Sequence, residues 1–188
     1  MIALKNYKIL KNKTFEKNNI KLCPISKHDV EKIRIWRNQQ ILNLRQKKKI
    51  TKEDQKKYFK KIIFKEYENI KPKNLIFSIK ENSKLIGYGG LVHISWSNFR
   101  AEVSLLFKTD LEKNKKIKFF YFKIFLNLIK EVSFNSLGLK KIYTETYSIR
   151  KKEILFLEKY GFKREGILKN HVYINKKAHD IILHGFNN

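Results

Sequence analysis

Residues 100–118 read RAEVSLLFKTDLEKNKKIK, and this stretch contains a strand, a polar loop and the start of a helix. Its first eight residues predict a strand, because alternate side chains of a strand point to opposite faces of a sheet. The loop after this strand contains no glycine. One face of the strand would carry Ala101, Val103, Leu105 and Phe107, and the other face Glu102, Ser104 and Leu106.

Downstream of this stretch, the sequence predicts two helices, a strand and a terminal hairpin. Residues 116–134 are apolar except for a narrow polar stripe, so this helix must pack against a sheet or a partner subunit. Gly138 and Gly161 follow helical segments, as expected for stop signals. The other predicted elements are a strand at 141–147, a helix at 151–160 and hairpin strands at 171–174 and 178–186.

Upstream of the stretch, the pattern predicts one strand, two helices and then two more strands. Ser26 and Asp29 resemble a capping box, and Thr51 is a good N-cap for the second helix. Glycines within residues 87–90 suggest a bulge or a close backbone approach. The predicted strands are 20–25, 75–81 and 85–94. We therefore predict an N-terminal extension or added edge strand at 1–19 and one α/β domain at 20–188, with a mixed sheet and helices on both sides.

The composition restricts the class of protein. No apolar run in the 188 residues approaches the length of a membrane span, and the charged N-terminus does not resemble a signal peptide. The lone cysteine, Cys23, excludes an internal disulfide and indicates a buried apolar side chain, and we expect a cytoplasmic protein. The net charge of +26 comes mostly from dispersed lysines, which makes a nucleic-acid site less favoured and suits a polyanionic small ligand.

Several local sequences resemble the GNAT superfamily of acyl-CoA N-acyltransferases. LCPISKHDVEKIRIWRNQ (22–39) is similar to the opening of the branch that contains ribosomal-protein and amino-sugar acetyltransferases. KLIGYGGLVHI (84–94) and AEVSLLF (101–107) are similar to the third and fourth strands of that family, and residues 157–186 to its C-terminal module. The resemblance implies a mostly antiparallel sheet that splays between the family's fourth and fifth strands. It also implies acetyl-CoA as the acyl donor.

The resemblance implies a catalytic site in the gap between these two strands. A strand N–H there would bond the thioester carbonyl, and a carboxylate would take a proton from the attacking amine. Glu102 is the first candidate for this base and Glu145 the second; the alternative for each is a surface carboxylate paired with a lysine. The implied cofactor contacts on the fourth strand are Val103, Leu105, Leu106 and Phe107.

The sequence departs from the family where the cofactor's pyrophosphate binds. Residues 110–118 lack the small residues that would let backbone N–H groups surround the phosphates, so binding would be weaker or altered. A tyrosine that often protonates the leaving thiolate is replaced by Leu157, with Tyr160 nearby, and Arg150 replaces a frequent asparagine. The basic residues that we expect at the cofactor are Lys113, Lys116, Lys118 and Arg150.

An aromatic and basic group of residues marks the expected acceptor side. Rings can stack on a base and arginine can bind a phosphate, which suits a phosphorylated or nucleotide-linked amine. Core packing is the alternative for the two tryptophans, and hairpin packing rather than metal binding is predicted for His171, His179 and His184. The expected acceptor residues are Trp36, Arg37, Asn38, His93, Trp96 and Arg100.

Three functions remain open from the sequence. The first is acetyl-CoA-dependent N-acetylation of an amino-sugar nucleotide for surface-glycan synthesis, or else of a ribosomal protein or peptide N-terminus. The second is a module that keeps the fold, has lost the cofactor and associates with another biosynthetic enzyme. The third, nucleic-acid binding, is the least favoured. The very apolar helix and the terminal hairpin make a homodimer credible.

Overall fold

The computed structural model describes residues 6–188, which build one eight-stranded sheet in the order β1-β2-β3-β4-β5-β6-β8-β7. All neighbouring strands are antiparallel except β5 and β6, which are parallel. The strands are β1 (Phe15–Lys17), β2 (Ile20–Pro24), β3 (Leu75–Glu81), β4 (Lys84–Ser95), β5 (Arg100–Phe107), β6 (Lys141–Tyr147), β7 (Lys163–Ile174) and β8 (Lys177–Asn187). This mixed, mostly antiparallel sheet confirms the predicted fold class.

Five α-helices pack on the sheet, and two of them continue into a π-helical turn. Turns of this kind follow α2 at Phe59–Ile63 and α4 at Glu131–Ser136. The α-helices are α1 (Asp29–Gln39), α2 (Lys52–Tyr58), α3 (Thr109–Lys113), α4 (Lys115–Lys130) and α5 (Lys151–Tyr160). Within residues 6–188, no helix is long and apolar enough to cross a membrane.

The two faces of the sheet carry separate apolar clusters, as the alternation in β5 predicts. Ala101, Val103 and Phe107 belong to the larger cluster, together with α4 and Leu157 of α5. Leu106 points the other way and packs with α1 and the π-turn after α2. The sheet therefore lies between two helical layers, with α4 and α5 on one face and α1 and α2 on the other.

Residues 6–19 contribute to the core, although the sequence suggested an extension. Tyr7 is fully buried, and its hydroxyl accepts from Ile76 N–H at 2.8 Å and donates to Ile76 O at 3.0 Å. Leu10 and Phe15 are buried with it. β1 pairs with β2, which matches the added edge strand, while residues 1–5 of the proposed extension lie outside the described part of the chain.

Local sequence explains where the first helices begin. Asp29 Oδ2 accepts hydrogen bonds from the Ser26 N–H at 3.0 Å and the Ser26 hydroxyl at 2.8 Å, so only the reciprocal half of a capping box forms. Thr51 Oγ1 accepts from Asp54 N at 3.1 Å and caps α2 as predicted. α2 ends at Tyr58, earlier than its apolar spacing suggests, because the chain widens into the π-turn.

The glycines of β4 allow close packing against both neighbouring strands. A Cβ on Gly89 would lie 2.5 Å from Ser104 O and 3.0 Å from Phe125, while one on Gly90 would lie 1.9 Å from Leu75 O. Real Cβ atoms do not approach carbonyl oxygens this closely. The close backbone approach predicted for this run is therefore present, and it fixes β5 beside β4.

Candidate active site

The central feature of the site is the divergence of β5 and β6. These strands pair only from Arg100 to Glu102 on β5 and from Lys141 to Tyr143 on β6. Beyond this point they separate and leave a cleft of about 230 Å³. The splay expected between the family's fourth and fifth strands is thus observed. The residues of β5 and β6 that line the cleft are Glu102–Phe107 and Thr144–Tyr147.

The free edge of β5 turns backbone N–H groups toward this cleft. Lys108 N–H donates to a carbonyl at the start of β4. Because alternate residues of a strand bond to one antiparallel neighbour, Leu105 and Phe107 direct their N–H groups away from β4. The ladder with β6 ends at Glu102, so these two N–H groups face the open gap. The N–H of Leu106 points toward β4, so Leu106 lines the cleft without offering it a free N–H donor.

Gln40, at the end of α1, occupies part of the same free edge. Its Nε2 donates to the carbonyl of Phe107 at 2.8 Å and lies 3.3 Å from Thr109 Oγ1. Among residues 6–188, neither its Oε1, which is buried in the cleft wall, nor Thr144 Oγ1 on the facing strand has a hydrogen-bond partner. Unsatisfied polar atoms of this kind are costly unless a ligand or water bonds them.

Both candidate carboxylates lie where the two strands begin to diverge, and one arginine joins them. Arg45 Nη2 lies 2.7 Å from Glu102 Oε1 and 2.6 Å from Glu145 Oε2. The side chain of Glu102 is 8% exposed, whereas that of Arg45 is 46% exposed. Burial alone would lower the pKa of Arg45, but the charges of Glu102 and Glu145 raise it above its ordinary value. The three groups form a charged cluster across the diverging strands.

His93 holds the second oxygen of Glu102. Its Nδ1 lies 2.8 Å from Glu102 Oε2. The β4–β5 register shifts between Val92 and Ser95, and His93 sits in this bulge with a φ of 50°. Bulges often redirect a side chain next to a functional site, and here the bulge turns the imidazole toward the carboxylate.

The segment at which the family resemblance implies phosphate binding is largely helical. No residue from Lys108 to Lys118 has a positive φ, and the five-residue α3 fills this segment. Asn114 caps α4 by accepting from Ile117 N at 3.2 Å. The first turn of α4 contains no acidic residue. The partial positive charge of the helix N-terminus and the N–H groups that precede Ile117 therefore remain available to an anion.

Lys118 lies inside the cleft wall as part of an ion cluster. Its side chain is 3% exposed, and Nζ lies 2.7 Å from Glu112 Oε2 and beside the carboxylate of Glu153. Arg150 also contacts Glu153, at 3.5 Å. Burial alone would raise the pKa of Glu153, but the hydrogen bond from Lys118 and the charge of Arg150 lower it. Two carboxylates thus neutralise the lysine that the sequence suggested for phosphate.

The whole chain can now be compared with known proteins. Residues 22–183 match the family model described as an acetyltransferase (GNAT) domain. The chain belongs to the GNAT acetyltransferase family. It is therefore an acyltransferase, and acetyl-CoA is the acyl donor of this family. No curated protein sequence matches the chain.

Solved structures of Vibrio cholerae spermidine N-acetyltransferase share this GNAT fold. The complex with CoA and spermine is 19% identical over 91% of this chain and 96% of that one, with a TM-score of 0.77. The dodecameric intermediate state is 20% identical over 91% and 95%, with a TM-score of 0.74. The manganese complex is 20% identical over 90% and 92%, with a TM-score of 0.72. At this identity the likeness shows a common fold.

Two of the residues expected on the GNAT acceptor side reach the site. Arg37 lines the cleft and is held by Tyr88 OH at 2.7 Å and Gln46 Oε1 at 3.1 Å. His93 contacts Glu102, as described above. Asn38 instead fixes the loop before α2, because its Oδ1 accepts from Ile50 N and its Nδ2 donates to Ile50 O.

The other expected acceptor residues lie outside the cleft lining. Trp36 packs on the α1–α2 cluster, which agrees with the core alternative. Trp96 packs on the larger core and donates from Nε1 to Pro72 O at 2.9 Å. Arg100 lies 5.6 Å from the centre of the Tyr143 ring, at the paired end of β5. These three residues serve packing and strand pairing in the structure.

The lysines that we expected at the cofactor differ in their exposure to solvent. Lys113 and Lys116 are exposed at the end of α3 and the start of α4, while Lys118 is buried. Arg150 lines the cleft, as does Leu157 at the position of the frequent GNAT tyrosine. Tyr160 points elsewhere and donates to Asn127 Oδ1 at 2.6 Å. The thiol of Cys23 is buried, and burial raises its pKa.

Sequence analysis missed four residues that shape the GNAT cleft. Arg45 and Gln40 come from the segment around the end of α1, and nothing in their local pattern marks them. The sequence analysis assigned no role to Glu112 or Glu153, which lie in lysine-rich helical segments. A short-range clue existed for Glu153, because it lies three residues after Arg150 at the start of a helix, where acidic side chains are favoured.

Proposed function

We propose that this protein transfers the acetyl group of acetyl-CoA to the primary amine of an anionic small molecule, an amino-sugar nucleotide used in surface-glycan synthesis. The observation that carries the proposal is the gap between β5 and β6. It combines unpaired strand N–H groups at Leu105 and Phe107 with the nearly buried carboxylate of Glu102 at its narrow end. Acyl transfer to an amine needs both features at one place.

The chemistry follows from these groups. The thioester carbonyl would accept a hydrogen bond from a β5 N–H, which stabilises the negative charge that develops on its oxygen as the amine attacks. Glu102 would take the proton of the amine, directly or through water, with Glu145 as the second candidate. His93 would hold the Glu102 carboxylate in place, and in the structure without acceptor Arg45 also contacts it.

The phosphates of the cofactor would bind at the start of α4. The helix N-terminus favours an anion, and the exposed Lys113 and Lys116 add charge beside it. Arg150 would contribute from the opposite wall of the cleft. Lysine ammonium groups would thus replace part of the glycine-rich N–H nest as point charges with less fixed geometry.

The charge of the chain supports an anionic acceptor. At +26, the protein attracts nucleotides and repels polycations, so an amino-sugar nucleotide is favoured over a polyamine such as spermidine. Arg37 lies in the cleft wall and can approach a phosphate of such an acceptor. A ribosomal-protein or peptide N-terminus is the second acceptor class, because the branch that the opening of the sequence resembles also includes those enzymes.

Cofactor binding is tested first by thermal unfolding with acetyl-CoA, using ATP and pyrophosphate as polyanion controls. Ligand at a hundred times its dissociation constant adds about 2.7 kcal/mol of stability, which is several degrees in Tm. Lys113→Gln with Lys116→Gln should weaken this shift, while Lys159→Gln with Lys163→Gln removes the same charge elsewhere and should leave it. Equal shifts with all three polyanions would contradict a specific acetyl-CoA site.

Acceptor identity is tested by release of free CoA with three substrate classes. We expect turnover with UDP-linked amino sugars and none with spermidine or a ribosomal-protein N-terminal peptide. Turnover with the peptide alone would replace the first acceptor class by the second. Turnover with spermidine alone would refute the argument from charge.

A further inference from the structure

One nitrogen atom at the point where β5 and β6 begin to diverge contacts two carboxylates from different strands. Arg45 Nη2 lies 2.7 Å from Glu102 on β5 and 2.6 Å from Glu145 on β6. These are the distances that a charge-assisted hydrogen bond from any ammonium or guanidinium nitrogen would have. The two strands begin to diverge at this point, so the nitrogen lies at the narrow end of the gap in which the proposed transfer takes place.

The two carboxylates need a cation between them. Glu102 is 8% exposed and Glu145 is 24% exposed, so repulsion between two ionised groups is only partly screened by water. Removing one partner of a largely buried charge cluster leaves the others without compensation. The pair is therefore a cation subsite, and in the structure the side chain of Arg45 fills it.

We propose that Glu102 and Glu145 together bind the protonated amine of the acceptor, and that Arg45 occupies this subsite until the acceptor displaces it. The proposal deepens the proposed function and rests on it. The ammonium loses one proton to a carboxylate before attack and a second as the N–C bond forms and the C–S bond breaks. The thiolate of CoA takes one of these protons and solvent takes the other.

The side chain of Arg45 can leave the subsite while the backbone of its loop stays folded. Its neighbour Gln46 is fixed by Asn38, whose Oδ1 accepts from Gln46 Nε2 at 2.8 Å, and Asn38 also bonds both polar groups of the Ile50 backbone. Arg45 itself is 46% exposed, and its side chain is long and flexible. The guanidinium can therefore turn into solvent while the backbone around it stays fixed.

The subsite can be tested without any transfer reaction. The variant Arg45→Gln leaves the carboxylates uncompensated, so we expect a lower Tm than wild type. Methylguanidinium chloride should raise the Tm of this variant saturably and more than equal NaCl does, but should leave wild type unchanged. Arg164→Gln is the matched control: Arg164 pairs with Glu158 and is 47% exposed, but lies outside the cleft lining.

Steady-state kinetics then test whether the acceptor displaces Arg45 from the subsite. If Arg45 vacates the subsite about one tenth of the time, Arg45→Gln should lower the KM for the acceptor about tenfold while acetyl-CoA affinity stays constant. A rise in that KM, or a methylguanidinium shift no larger than that of NaCl, would overturn the proposal. The acetyl-CoA and acceptor assays on wild type report separately on the proposed function, so the two failures are distinguishable.

Discussion

Burial and partners distinguish Glu102 among the acidic residues of the cleft. It lies at the last β5–β6 pair, and both of its oxygens are engaged, one by Arg45 and the other by His93. Glu112 and Glu153 are held by Lys118 at the other end of the same cleft. The acidic residues thus separate into a pair where β5 and β6 begin to diverge and a pair that neutralises a buried lysine.

The first residue-scale prediction concerns proton removal. Glu102→Gln keeps the size and one acceptor oxygen but cannot take a proton, so we expect kcat for acetyl transfer to fall by about 10²- to 10⁴-fold. Glu145→Gln should cost less, because that side chain is more exposed and is the second candidate. Steady-state kinetics with saturating acetyl-CoA check both values. Glu165→Gln, an exposed carboxylate paired with Lys141, should behave as wild type. Unchanged turnover in Glu102→Gln would refute the role.

The second residue-scale prediction concerns acid stability. His184 on β8 is fully buried, its Nδ1 has no partner, and its Nε2 lies 3.4 Å from Glu158. Burial lowers the pKa of His184 below its ordinary value, although the bond to Glu158 opposes the shift. Below about pH 6.5, His184 therefore binds a proton in the unfolded chain but stays neutral in the folded chain. The free energy of unfolding should fall as the pH drops from that value toward the folded-state pKa.

Denaturant unfolding between pH 7.5 and pH 5 measures this loss. His184→Gln should show a smaller loss over the same range, because the glutamine does not titrate. His171→Gln, at an exposed position on β7, should keep the wild-type pH dependence. An unchanged pH dependence in His184→Gln would show that other groups account for the loss.

At the scale of elements, β4 controls the position of β5 and hence the cleft edge. Gly89 lies opposite Leu105, whose N–H faces the gap. A Cβ at Gly89 would meet Ser104 O at 2.5 Å, and because this atom is backbone, relief requires a shift of β5 itself. The glycines of this strand therefore link core packing to the geometry of the site.

Gly89→Ala is accordingly expected to destabilise the fold by about 1–3 kcal/mol through overpacking. It should also lower kcat/KM more than lost stability explains, since the N–H groups of β5 move. Thermal unfolding and kinetics at a temperature well below Tm separate the two effects. Gly166→Ala is the control, because its Cβ would lie an ordinary 3.6 Å from Leu183. Equal effects of the two substitutions would contradict the link.

The elements were largely predictable because their signals are local. Strand alternation gave β3, β5 and β6 with their observed bounds, and Gly161 ended α5 in a left-handed conformation. β7 begins at Lys163, eight residues before the predicted hairpin strand, because an edge strand with two register shifts lacks regular alternation. Glu102 could be placed on its strand face from alternation, once the resemblance had indicated which strand borders the gap. Arg45 could not, because its contacts span 57 and 100 residues of sequence.

The net charge of the whole molecule provides the last prediction. Most lysines lie on the surface, so their effect on a ligand is a long-range field that salt screens within about 10 Å at 0.1 M. A field of this sign raises the encounter rate of an anionic acceptor and lowers that of a polycation. A single substitution changes this field little, so ionic strength is the better experimental variable for testing its effect.

We expect kcat/KM for a UDP-linked amino sugar to fall several-fold between 50 and 300 mM NaCl, with kcat nearly constant, because screening slows association and leaves the bound chemistry intact. A neutral amino sugar without the nucleotide should show little salt dependence, and it controls for effects on the fold. The salt series for both substrates, each measured with saturating acetyl-CoA, gives the comparison. Equal slopes would mean that the lysine-rich surface takes no part in choosing the acceptor, and the argument for an anionic substrate would lose its support.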